Sequence, residues 1–201
     1  MNGQPLKLIG EIIGVVAIAE GFFIFLSNKR EKIIFFKFIS DLLWMTNQLF
    51  VGGYTGALLN GIAMGRESVF YNRDKKKWAS SRLWLFFFLA VTLISPTVSL
   101  LSGGEGWYAI LPAIGSSASV VGFYSRRPNV TRYLSFIVNS LWLWYNVIIN
   151  NVSAAISCVI LLLSALVGTV MMLIQKKRER IAAESPEALQ KQSDTRKEDE
   201  K

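Results

Sequence analysis

Apolar residues in this chain come in stretches about as long as a lipid bilayer is thick, and so little lies between them that no soluble core can be assembled. A helix rising ~1.5 Å per residue needs about 20 residues to cross a hydrocarbon layer of about 30 Å. Seven runs approach that length: 8–26, 33–51, 54–72, 83–101, 107–124, 131–150 and 152–174 of 201 residues. They predict an all-α membrane protein of seven transmembrane helices whose first partner is the lipid bilayer. The remainder is short loops and a charged tail from Gln175, too polar to bury a core of its own.

The charges order the crossings. Of 22 Lys and Arg residues, Lys29, Arg30, Lys32 and Lys37 stand at the start of the second run, and Arg66, Arg73, Lys75, Lys76, Lys77 and Arg82 at and after the end of the third. Arg126, Arg127 and Arg132 separate the fifth and sixth, and eight more lie in the tail. The turns around Gly52–Gly53, Gly103–Glu105 and Asn150–Asn151 hold none. Alternating crossings place every basic residue except Lys7 on one face, and basic residues accumulate on the cytoplasmic side. The N-terminus is therefore expected outside and the C-terminus in the cytoplasm. The positive cluster follows the first run instead of preceding it, as in a retained helix rather than a cleaved leader. The net charge of +8 is explained by topology, so no nucleic-acid partner is implied.

One cysteine and no histidine exclude an intrachain disulfide and chemistry that relies on imidazole. No metal-ligand set, cofactor loop or paired catalytic acids stand at motif spacing, so an enzyme is not expected and neither is a cofactor.

The chain also repeats itself. Residues 8–62 laid on 106–160 at an offset of 98 align without a gap, with nine identities that include Leu43-Trp44 on Leu141-Trp142. Three helix starts, three helix ends, the basic inner loops and the polar outer turns coincide. Two units with an odd number of crossings face opposite ways unless one more helix lies between them, and the almost wholly apolar run 83–101 is that helix. The expected division is a first three-helix bundle (1–77), a linker helix (78–105), a second bundle (106–175) and a cytoplasmic tail (176–201). Such parallel repeats, related by an axis along the membrane normal, occur among transporters.

Three helices, a linker and three more, with Trp on the second helix of a unit and Asn sixteen residues later on the third, resemble the SWEET and SemiSWEET sugar carriers and the wider PQ-loop group. Over most of the membrane portion the chain is also similar to the YgjV-type bacterial inner membrane proteins. The resemblance implies a bacterial inner membrane location and a central pocket lined by Trp44 and Asn60, with Trp142 and Cys158 from the second unit. The chain departs from the carriers in lacking their Pro-Gln pair and most of their prolines. Pro112 is the candidate hinge, because a proline removes one helical hydrogen bond.

These residue types suit a small polar solute. An indole offers a flat face and one donor, and an amide offers donors and an acceptor at one point. Counting ~1.5 Å per residue from each helix centre puts Trp44 and Asn60 at one depth. Two structural alternatives stand beside that reading: lipid packing for the tryptophans, and an interhelical hydrogen bond for Asn60. Glu20, Asp41, Arg66 and Glu67 share a similar depth, where an unpaired charge costs at least ~2.5 kcal/mol. Arg66 is expected to bridge Glu20 and Asp41, leaving an acid surplus for a cation or proton. The equivalent residues of the second unit, Ala118, Asn139, Ser164 and Ala165, are neutral, and Asn139 joins the candidate solute-binding set. The network is either a gate or a static lock. Glu11 is expected at the wetted outer mouth.

Two functions follow: a carrier of a small, sugar-like polar solute by alternating access, or a non-transporting receptor or assembly protein on the same scaffold. A second copy of the chain is not required, since two units already complete the site. The orientation has a direct test. A reporter active only outside the cytoplasm is expected to be active when inserted at Asn150 and silent when inserted at Lys76, and the opposite pattern would overturn the assignment.

Overall fold

A computed structural model describes residues 4–26, 30–73, 75–101, 104–124 and 128–183. They form seven α-helices: α1 (Gln4–Leu26), α2 (Arg30–Val51), α3 (Tyr54–Tyr71), α4 (Leu83–Leu101), α5 (Ile110–Tyr124), α6 (Pro128–Ile148) and α7 (Val152–Ala183). Two short 3-10 turns, Lys77–Ser80 and Trp107–Ala109, precede α4 and α5, and no strand occurs among the described residues. Each apolar run therefore corresponds to one helix. By length and composition, α4 and the segment Val152–Gln175 of α7 are apolar enough to cross a membrane on their own, with mean hydropathies of 2.0 and 2.6. Lys29, Arg126, Arg127 and the tail beyond Ala183 lie outside the described residues.

The burial pattern is the reverse of a water-soluble bundle. Among the described residues, fifteen polar or charged side chains are buried against twelve hydrophobic ones, while Leu8, Phe35, Phe86, Leu93, Ile137 and many like them are exposed. An apolar outside of this extent needs an apolar surrounding, and the polar inside must then satisfy itself.

By contacts the chain divides into two compact units, Met1–Leu162 and Leu163–Lys201. In the second, α7 continues to Ala183 with Leu163, Leu166, Val167, Val170 and Met171 exposed and Thr169 bonding back to the Ala165 carbonyl. In the first, α1 packs on α2, α2 on α3 and α5 on α6, with α4 against both α3 and α5 and α3 against α5. Small residues set the closest approaches: a Cβ on Gly14 would overlap the Ser153 hydroxyl at the start of α7. The proline that does interrupt a helix is Pro96 in α4. It cannot donate to the Thr92 carbonyl one turn back, and the Ser95 hydroxyl does so instead at 2.8 Å.

The repeat reappears as backbone geometry. Gly52 and Asn150, equivalent at the offset of 98, are the residues with positive φ among the described residues, at 90° and 56°. Each ends its helix in the same way. Gly53 and Gly52 donate to the carbonyls of Gln48 (2.8 Å) and Leu49 (3.3 Å), and Asn151 and Asn150 donate to those of Asn146 (2.9 Å) and Val147 (3.1 Å). This paired closure of a left-handed helix end is the Schellman arrangement, which Gly52 adopts without strain and Asn150 tolerates.

Beside these turns lies a polar plate that water does not reach. Asn47 donates to the Gly10 carbonyl (2.8 Å) and the Ser153 hydroxyl (3.3 Å), and accepts from Asn151 (2.7 Å). Tyr145, its equivalent in the repeat, donates to Glu105 (2.8 Å) and accepts from the Gly56 N–H (3.0 Å). Gln48 donates to Asn146 at 2.9 Å across a separation of 98 residues, so two repeat-equivalent residues bond to each other. Tyr145 is fully buried, so Tyr145→Phe strands the Gly56 N–H and leaves Glu105 Oε1 with one of its two donors, the Thr55 N–H. It is expected to cost about 1–3 kcal/mol, read as a lowered Tm in detergent, whereas Trp144→Phe on the exposed face should leave the Tm unchanged.

Candidate functional site

A cavity of about 390 Å3 lies among α1, α2, α3, α5, α6 and the first turns of α7. On α2 it is lined by Asp41, Trp44 and Gln48, which stand three and four residues apart and so share one helix face. On α6 the equivalent residues Asn139, Trp142 and Asn146 do the same. Asn60 on α3 and Cys158 on α7 form a further equivalent pair, as do Gly21 and Ser119. Eighteen of the twenty-three lining residues fall into nine such pairs at the offset of 98. A cavity lined by chance would have no reason to draw matching positions from both halves.

Trp44, Asn60, Trp142, Cys158, Asn139, Asp41 and Arg66 are thus brought together around one cavity. Trp142 packs at right angles to Tyr145, with ring centroids 5.9 Å apart. Asn60 donates to the Gly56 carbonyl of its own helix (2.9 Å) and Asn139 to the Ser135 carbonyl of its own (2.7 Å). The amide of Asn60 therefore donates within α3 and not to a neighbouring helix. Cys158 accepts a weak bond from Asn146 at 3.8 Å.

The charged side of the site differs from expectation in its central cation. Lys37, counted by sequence among the topology-setting charges, reaches both acids: its Nζ is 3.3 Å from Asp41 and 2.8 Å from Glu67. Arg66 sits 3.6 Å from Glu67. The cause is helix periodicity, which puts Lys37 one turn before Asp41 on the face that meets α3. Its stem is long enough to carry the ammonium inward from the helix end. Glu67 does not line the cavity but supports its wall from behind, and Glu20 lies beside Ser40, Asp41 and Lys37 of α2, next to the lining residue Gly21. With Lys37 included, two cations face three acids, so the acid surplus is smaller than the sequence suggests. Arg73, further along, stacks over the Tyr124 ring at 4.3 Å.

Two expectations need correction. Pro112 is fully buried in the first turn of α5. There a helix has no intrahelical acceptor for an N–H in any case, so proline breaks no bond and the ground for a hinge is absent. Glu11 is not simply wetted at a mouth: its carboxylate accepts from the N–H groups of Val152 (2.8 Å) and Ser153 (2.7 Å) and so caps α7. Glu105 caps α3 through Thr55 N–H at 3.1 Å, and Thr55 is the repeat equivalent of Ser153. Each third helix begins on a carboxylate from the other half of the chain, the favoured partner for the positive end of a helix dipole.

Sequence reasoning missed Gln48, Asn146 and Lys37. The first two were open to discovery by aligning the repeat for chemical class instead of identity, since both are amides. The signal for Lys37 was its spacing to Asp41. Among the described residues no group of three or more His, Cys, Asp or Glu is placed to hold a metal ion.

Residues 8–177 match the family described as bacterial inner membrane protein, Imp-YgjV. The chain belongs to this family. Comparison with curated proteins and with solved structures gives no match. As a member of an inner membrane family, the chain has the surroundings that its apolar exterior requires, and the buried ion cluster then sits where an uncompensated charge is costly. Lys37→Met removes the cation that two buried acids share. It is expected to destabilise by about 3–5 kcal/mol, with part of the loss recovered in Lys37→Met with Glu67→Gln; equal Tm values for the single and double variants would show that Lys37 does not hold the cluster.

Proposed function

We propose that the chain is a carrier of a small polar, sugar-like solute working by alternating access. It is built as two like-oriented three-helix units with α4 as the linker that lets them agree in direction. In this reading it crosses the inner membrane seven times, with its N-terminus outside and C-terminus in the cytoplasm, and is related to the SWEET and SemiSWEET carriers. The observation that carries the proposal is the cavity lined by nine pairs of repeat-equivalent residues. A pocket shared evenly by two like units is suited to alternating access, because rocking one unit against the other changes its exposure without dismantling either unit.

The lining supports the solute class. Trp44 and Trp142 supply two broad aromatic faces, while Gln48, Asn60, Asn139 and Asn146 supply amide donors and acceptors. Asp41, Arg66 and Lys37 come from α2 and α3, whereas the lining residues of α5, α6 and α7 are all neutral, and this asymmetry would orient an asymmetric molecule. A volume of about 390 Å3 falls at the small end of ligand pockets. The charged cluster stands in this account as the gate or coupling network on the side away from the Gly52 and Asn150 turns.

Proteoliposomes offered a panel of sugars, polyols and small organic acids should show saturable uptake of at least one of them. Trp44→Ala combined with Asn60→Ala is expected to reduce that uptake by at least about ten-fold, the equivalent of ~1.4 kcal/mol of lost binding. Unchanged uptake in the double variant would remove the proposed site, and no uptake of any panel member would count against the carrier itself.

A further inference from the structure

The two ends of the cavity differ in their polar contacts. Toward the basic segments the lining carries Lys37, Asp41 and Arg66, with Lys37 paired to both Asp41 and Glu67. At the side of the Gly52 and Asn150 turns, the lining ends at Gln48 and Asn146, which are joined by a single hydrogen bond of 2.9 Å. Gln48 is 1% exposed, and its Oε1 has no hydrogen-bond partner. The amide that bridges the two halves is therefore only half satisfied.

We infer that the Gln48–Asn146 pair is the latch of the cavity on the side of the turns, the contact that must part for a solute to pass that way. This rests on the carrier reading for its purpose, though not for its measurement. A buried bond with one idle acceptor is poorly suited to permanent fastening, since a group buried without a partner carries a desolvation penalty that opening to water removes. The remaining polar contacts of the plate also cross between the halves, but their residues do not line the cavity. Glu11, Asn47 and Ser153 join α1, α2 and α7, whereas Glu105, Tyr145 and Thr55 join α6 to α3. Each set couples a second helix to the opposite third helix. The direct tie between the two second helices runs through Gln48 and Asn146. The repeat places that tie on the pseudo-two-fold axis, and both of its partners line the cavity, so a solute leaving past the turns meets this bond directly.

Cys158 is a built-in reporter, being the single thiol of the chain, part of the cavity wall, and in contact with Asn146. The full-length protein in right-side-out and inside-out membrane vesicles is treated with the membrane-impermeant thiol reagent 2-sulfonatoethyl methanethiosulfonate, with Cys158→Ser as the unlabelled control. From the face of the turns, Cys158 in the unaltered chain should be protected. Gln48→Leu should accelerate its modification from that face by about ten-fold, the effect of one lost hydrogen bond, and leave the opposite face unchanged. Gln48→Asn and Asn146→Gln should each be fast, while the two combined, which exchange the long and short arms of the bond, should restore protection. Equal acceleration from both faces would indicate general loosening and overturn the latch, as would no acceleration or a failure of the exchanged pair to restore protection. Labelling requires no transport, so a working latch in a protein that takes up no solute would discard the carrier reading and keep the latch. Confirmed uptake with no effect at Gln48 would do the reverse.

Discussion

The first backbone N–H groups of a helix have no partner within the helix, and the hardest to satisfy are those buried inside the protein. The structure depends on how this is met at the starts of α3 and α7. Glu105 holds the Thr55 N–H and Glu11 holds the Val152 and Ser153 N–H groups, so each helix is anchored by an acid from the other half of the chain. Tyr145 and Asn47 add a second reciprocal pair of contacts at Gly56 and Ser153. The two halves are therefore interlocked by their capping needs, and the cavity is the space left between helices held at both partners' ends.

The reciprocity is more faithful than the sequence repeat that underlies it. Thr55 and Ser153 are equivalent, yet the acids that cap them are not: the position equivalent to Glu11 is Ala109, and the one equivalent to Glu105 is Lys7. The same physical demand has been met from two different places. The charges show the opposite trend, with Lys37, Asp41, Arg66 and Glu67 in the first half and Ser135, Asn139, Ser164 and Ala165 at the equivalent positions. The fold keeps two-fold geometry where the backbone requires partners and abandons it at the ion cluster beside the cavity.

Helix number and most helix limits were legible in the sequence because run length and charged punctuation are strong, local signals. α4 was read at Leu83–Leu101 and α2 and α3 end within a residue of their runs. Trp44, Trp142, Asn60 and Cys158 were found as wall residues because their spacing recurs in both halves. What escaped was nonlocal. No pattern along the chain states that Gln48 meets Asn146, that Lys37 turns inward while Lys75 stays exposed, or that Glu11 caps a helix more than a hundred residues away. Pro112 was misjudged for a different reason: its effect depends on whether it falls in the first turn of α5 or one turn later, and helix starts are the least certain feature of a sequence.

The central claim is that two halves of one chain face each other across a shared cavity, with the indoles at 44 and 142 on opposing walls. Its most direct measurement places cysteines at both positions in a Cys158→Ser background, with a protease site inserted next to Lys76 between the halves. A short bifunctional thiol reagent is applied before cleavage in the membrane. The account predicts that the cleaved fragments migrate as one covalent species, and separate fragments at full thiol modification would contradict it.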